Sequence, residues 1–209
     1  RLRCDWSSDV CSSDLIRGID TDGGSSGWIS YNDVFSVVNN PPLVSSYTSD
    51  ASDTYRTDAV ILMVEVSDVE DSDEEVTVTI EHMAPQGSWS SSYISSLWFN
   101  SSSQRWQANF TPPISATLGD YDVRVMVTDA DDGTSAWSTF SDNITVLNNA
   151  PVFQNYATSA DEVLRTSTII IGVNSTDTED SETAHTVTIQ YRAPSGTWTA
   201  SDLSTPWYN

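Results

Sequence analysis

Residues 121–151 read YDVRVMVTDADDGTSAWSTFSDNITVLNNAP. Across 121–128 apolar and polar residues alternate, the period-2 pattern that puts successive side chains on opposite faces of a strand. An acidic, glycine-bearing turn follows at 129–133, then a second alternating run at 140–147, and then Asn148-Asn149-Ala150-Pro151. Nearly the same text stands 109 residues earlier, at 20–42, as DTDGGSSGWISYNDVFSVVNNPP. Trp28 matches Trp137, Asp20 matches Asp129, and Asn39-Asn40 match Asn148-Asn149. A strand, an acidic turn, a strand and an Asn-Asn-x-Pro junction therefore recur as a unit. That marks the end of one module and the seam to the next.

The repeat continues past the seam. Residues 42–100 align with 151–209 at the same offset, without a gap and with 23 identities in 59 positions. The chain is read as the tail of one module at 16–39, a complete module at 40–148, and the first half of a further module at 149–209. A period of 109 residues is too long for a solenoid and suits a single β-sandwich of about 100 residues.

Within the complete module, further strands are expected at 43–47, 55–56, 59–66, 75–83, 97–99 and 105–110, besides those at 121–128 and 140–147. The run AVILMVEV at 59–66 is so apolar that it predicts a central strand buried on both faces. Residues 84–87, Ala-Pro-Gln-Gly, form a turn, and 101–103 form a hairpin loop. No segment sustains a 3.6-residue period, and Gly, Pro, Ser and Asn punctuate at hairpin spacing. The fold class is all-β, with tandem antiparallel β-sandwiches.

Gly119-Asp120-Tyr121-Asp122-Val123 resembles the G-x-Y-x-V approach to the sixth strand of immunoglobulin-like domains. That resemblance implies a tyrosine corner, in which the Tyr121 hydroxyl bonds back to nearby backbone. Together with VTDADDG at 127–133 and NNAPVF at 148–153, it is similar to the tandem immunoglobulin-like and cadherin-like surface repeats of bacteria and archaea. The chain departs from cadherins in lacking their DxNDN linker, since Val146-Leu147-Asn148-Asn149 stands there.

Residues 5–15, DWSSDVCSSDL, resemble a translated short-read sequencing adapter, and 1–15 are set apart from the fold reading on that ground. Both cysteines, Cys4 and Cys11, fall in that stretch, so neither a disulfide nor a thiolate metal site is read from them. The net charge is −22 for the whole sequence, and all eight basic residues are Arg. Such a balance offers no basic stripe for nucleic acid and no attraction to an anionic membrane. No run approaches the roughly 20 apolar residues of a membrane span. The dense Val, Ile, Trp and Tyr in alternation separate the chain from disordered acidic polymers.

Acidic loops are the leading candidate site. The loop after the second long strand carries Asp68, Glu70 and Asp71, matched by Asp177, Glu179 and Asp180 in the next copy. The loop after the sixth strand carries Asp129 and Asp131. In an immunoglobulin-like topology both loops lie at one end of the sandwich, where Asn39-Asn40 enter, as Asn148-Asn149 do for the copy after. Carboxylate, amide and backbone oxygens would converge there, and Ca²⁺ takes six to eight such hard ligands. Several close carboxylates repel by about 1 kcal/mol per pair in water unless screened. The bland alternative is that these are solvated turn residues that keep the surface soluble, and no EF-hand spacing decides between the two.

The tryptophans Trp89, Trp98, Trp106 and Trp137, with Trp198 and Trp207 repeating the first two, admit a core role or a sugar-stacking platform. Their recurrence at the module period favours the core. Sequons begin at Asn100, Asn109, Asn143 and Asn174. His82 and His185 do not occupy matching positions and show no metal-ligand spacing, and no nucleophile motif or phosphate loop occurs. The reading is a non-catalytic structural or adhesive region of a large extracellular or cell-surface protein. Its partners are neighbouring modules, other surface proteins or polysaccharide, and Ca²⁺ at the seams is its candidate cofactor. Accessory carbohydrate-binding modules of a secreted hydrolase are the alternative.

Overall fold

The computed structural model describes residues 13–32 and 38–208; Cys4 and Cys11 lie outside the described residues. The strands are β1 (Ser13–Ile16), β2 (Ile29–Asn32), β3 (Leu43–Ser49), β4 (Asp53–Tyr55), β5 (Val60–Ser67) and β6 (Thr77–Met83). They continue with β7 (Trp98–Asn100), β8 (Arg105–Phe110), β9 (Gly119–Thr128), β10 (Ser138–Leu147), β11 (Val152–Thr158) and β12 (Ile171–Thr176). A single 3₁₀ turn at Glu182–Ala184 is the one helical element among the described residues.

Strands β3 to β10 make a sandwich of two four-stranded sheets, ordered β3-β5-β8-β7 and β4-β10-β9-β6. Every strand expected from the sequence between residues 43 and 147 is present. One pair departs from the antiparallel expectation: β4 runs parallel to β10, with Thr54 opposite Val146. Residues 50–52 carry the chain from the edge of the first sheet to the edge of the second without reversing its direction, so β4 meets the last strand in parallel.

The core lies between the sheets. Leu62, Val64, Ala108, Phe110, Tyr121, Val123, Val125, Val127 and Ile144 are fully enclosed there. Each such large side chain is worth roughly 1.5–3 kcal/mol relative to exposure. The expectation that 59–66 is buried on both faces is corrected. Val60, Leu62, Val64 and Val66 are buried, whereas Ile61, Met63 and Glu65 are only half-covered on the outer face. A two-layer sandwich has one inner face per sheet, so the outer face of even a central strand keeps contact with water. The tyrosine corner forms as the resemblance implied, the Tyr121 hydroxyl donating to Thr117 O at 3.0 Å.

The repeat holds in three dimensions. Hairpin β1–β2 pairs Ile16 with Ile29, and its counterpart pairs Val125 with Ser138. Strand β1 thus includes residues 13–15 of the adapter-like stretch; a strand pairing is made by backbone, which any such sequence supplies. Strands β11 and β12 copy β3 and β5, with the same bulge after Phe153 as after Val44. Thr57 and Thr166 share a left-handed φ (71° and 73°), as do Gln86 and Ser195 (59° and 61°).

Candidate functional site

Asp68 builds the first acidic turn around its own carboxylate. Its Oδ1 accepts from the N–H groups of Glu70 (2.7 Å) and Asp71 (2.9 Å). The Asp71 bond foremost, then those of Glu70, holds the Asp68 carboxyl below the usual range against an opposing effect of burial. Asp177 repeats the arrangement with Glu179 N (2.8 Å) and Asp180 N (3.0 Å), and its carboxyl is lowered in the same way, led by Glu179. The turn at 129–133 uses the same device: Asp129 Oδ1 accepts from Asp131 N (3.0 Å) and Gly133 N (2.7 Å). Asp20, one repeat earlier, accepts from Asp22 N and Gly24 N.

The two loops of the complete module meet at one end, as expected, where Ala130 N donates to Asp71 Oδ2 (3.1 Å). The incoming linker closes over them. Asn39 Nδ2 donates to Asp129 Oδ2 (2.7 Å) and Asn40 Nδ2 to Glu70 Oε1 (2.6 Å). Each linker amide thus reads one carboxylate, and the Asn39–Asp129 pair is partly buried, where a charge-assisted bond is strongest. Gly133 makes room for it, because a Cβ there would overlap both the Asn39 amide and the Asp129 carboxylate. The loop is tied down from below by Trp106, whose indole N–H donates to Asp73 O (2.7 Å).

The second seam keeps half of this pattern. Asn149 donates to Glu179 Oε1 through both its backbone N–H (3.0 Å) and its Nδ2 (3.1 Å). The same Nδ2 also reaches Arg56 O (3.2 Å), in the module before the seam. Asn148 is exposed, and its amide turns to the backbone oxygen of Asn149. The structure therefore brings together Asn39, Asn40, Asp68, Glu70, Asp71 and Asp129 at one seam, and Asn149, Asp177, Glu179 and Asp180 at the other. Asn148 stays outside its set, and Asp131 and Asp180 contribute backbone N–H groups.

Among the described residues no three carboxylate, imidazole or thiol groups are gathered in a metal-holding arrangement. The carboxylates expected to face one another instead face N–H groups, which relieve their repulsion locally. Among the described residues two carboxylate oxygens are enclosed without a hydrogen-bond partner, Asp68 Oδ2 and Glu179 Oε2. Asp177, Asp180, Glu182 and Tyr208 line a surface concavity of about 360 Å³, in which the Tyr208 hydroxyl donates to Glu182 Oε2 (3.0 Å).

The tryptophans correct the sequence reading, since among the described residues none belongs to the enclosed core and only Trp106 packs against its edge. Trp89 and Trp137 sandwich the Arg124 guanidinium, at 4.6 and 4.1 Å from the ring centres, on the outer face of the β4-β10-β9-β6 sheet. Arg124 also bonds Glu81 Oε2 through Nε (2.7 Å) and Nη2. An arginine stacks on the matching ring in the other copies, Arg17 on Trp28 and Arg192 on Trp198. Periodic recurrence preserves a cation–π fastener, which strand alternation cannot distinguish from a core residue. Sequence reasoning also misses Arg56 and Gly133; the recurrence of Gly24 at 133, inside the repeated acidic turn, is the signal that could have found the latter.

Fold and seam together define a tandem immunoglobulin-like β-sandwich chain with amide–carboxylate junctions. No family profile matches the sequence, and no curated protein matches it. Among solved structures, the crystal structure of the titin domains Z1Z2 in complex with telethonin is similar at a TM-score of 0.34 and 14% identity. The likeness covers 66% of this chain and 66% of that one.

Proposed function

We propose that this chain is a non-catalytic structural region of an extracellular surface protein, a spacer whose modules are held in register by their linker asparagines. The observation that carries it is the Asn40–Glu70 contact and its repetition as Asn149–Glu179, where Asn149 also binds Arg56 O of the preceding module. A junction tethered on both sides resists bending, which is the property a stalk requires. Ca²⁺ at the seam belongs to this reading, with Asp68 Oδ2 and Glu179 Oε2 as the free acceptors that would turn to a cation.

Thermal unfolding with Ca²⁺, against Mg²⁺ at matched ionic strength, tests the cation. A ligand of the native state stabilises by about 2.7 kcal/mol at a hundredfold excess over Kd. A Ca²⁺-specific rise that disappears when Asp68, Asp71 and Asp131 are replaced by Asn supports a cation-linked seam. An equal shift with either salt leaves a stalk held by amides alone. A carbohydrate-binding role is favoured by one observation, Trp98, which is 39% exposed on the outer sheet face opposite Gln107. Protection of its fluorescence from quenching by soluble polysaccharide would support that role instead.

A further inference from the structure

His82 is the most enclosed ionisable side chain with no hydrogen-bonding partner among the described residues. It lies on the inner face of β6 with 3% of its surface exposed, and neither Nδ1 nor Nε2 has a partner. Its backbone is locked in place, bonded in both directions to Ser90 (2.8 and 2.9 Å). Its surroundings are aromatic: Tyr93 stacks at 4.4 Å, Phe110 of β8 meets it edge-on at 5.4 Å, and Tyr121 of β9 tilts against it at 5.7 Å.

The rings in contact with His82 bring no charge to compensate a cation. Tyr93 and Tyr121 are neutral phenols, and the Tyr121 hydroxyl is engaged by Thr117 O. Glu81, the neighbour on the same strand, sits on the opposite face with its carboxylate bound by Arg124. Arg56, whose guanidinium is held by Ala116 O, acts on the same cluster with positive charge through Tyr121. Phe110 brings no charge from β8.

We propose that His82 makes this module an acid-labile joint, which stays closed while the ring is neutral and opens when surrounding protons favour the imidazolium. Burial pushes the His82 imidazole below its ordinary value, and the Glu81 carboxylate opposes this only in part. The sign follows from linkage. An unfolded His takes its proton near pH 6.5 while the folded one resists, so stability is complete above about pH 6.5 and falls as pH drops below it. The chain contains its own comparison: the matching position in the next copy is Tyr191, whose hydroxyl donates to Asp202, so the buried imidazole is not repeated there.

The test is denaturant unfolding of the full chain and of His82→Phe between about pH 7.5 and 5. The difference between the two cancels every other titration in this acidic protein. The folding equilibrium of the native sequence should fall relative to His82→Phe by up to about tenfold per pH unit below 6.5. A gap that stays constant over this range overturns the proposal. His82→Tyr, the residue of the next copy, serves if the phenylalanine variant does not fold. In the folded protein, NMR should show the His82 ring not titrating near 6.5; an ordinary titration of the native signal would equally overturn it.

Discussion

The tetrapeptide Thr-Val-Thr-Ile occurs twice, at 77–80 and at 186–189, with different outcomes. The first lies in β6, paired with β9, and buries Val78 and Ile80. The second forms no strand, and Val187 and Ile189 are only half-covered. Tyr47 and Tyr156 tell the same story: Tyr47 is 8% exposed beneath Phe140, and Tyr156 is 70% exposed. The matching text folds differently because β8, β9 and β10 build the sheets that cover the first copy, whereas among the described residues no strand pairs with 186–189. Alternation makes a segment able to be a strand; a partner makes it one.

That comparison can be broken most sharply in the core. Leu62→Ala should cost about 3 kcal/mol, within the 2–5 typical of an enclosed leucine, and Ile171→Ala at the matching position under about 1 kcal/mol. Denaturant unfolding followed by backbone NMR separates the two, since loss in the first case should leave the β11–β12 signals in place.

The seams give a smaller contrast. Asn149→Ala removes the side-chain bonds to both sides of its junction and should cost about 1 kcal/mol. Its clearer reading is a rise in the independent tumbling of the two copies by ¹⁵N relaxation. Gly133→Ala should mimic the loss of the Asn39 contact at the other seam by crowding its amide without replacing the residue, and an unchanged Asn39 amide signal would show that the crowding is relieved elsewhere.

The smallest expected effect is electrostatic. The carboxyls of Asp68 and Asp177 are both depressed, so each contributes stability that is complete above the ordinary carboxyl value and lost as pH falls through its folded value. Asp68→Asn keeps a side-chain oxygen for the turn but cannot titrate. Its acid unfolding limb should therefore be flatter than that of the native sequence, and the NMR titrations of Asp68 and Asp177 should both lie below about 3.9.

Much of this architecture is legible in the sequence alone. Alternation locates the strands of the complete module, the 109-residue offset places Asn40 and Glu70 in step with Asn149 and Glu179, and Tyr121 announces its corner. What stays hidden depends on depth and facing. The inner and outer sides of β5 are both apolar in sequence, so its half-exposed face leaves no mark there. Trp89 and Trp137 recur as core residues do, but they rest on an arginine from another strand. The sequence shows the carboxylates as a cluster, but not that Asp68, Asp129 and Asp177 each recruit the N–H groups of their own turn.

The parallel pairing of β4 with β10 has a mechanical consequence. A pull along the chain enters the module ahead of β3 and leaves it after Leu147, so β4 and β10 are drawn in opposite directions along their shared axis. Their bonds, Thr145 N to Ser52 O at 2.9 Å and Arg56 N to Leu147 O at 3.1 Å among them, lie across that axis and are loaded in shear. Bonds sheared together must yield together, whereas a hairpin pulled from its open end unzips one at a time. The Asn149 contact with Arg56 O extends the same patch into the linker, so tension reaching one module passes to the next through its most resistant edge.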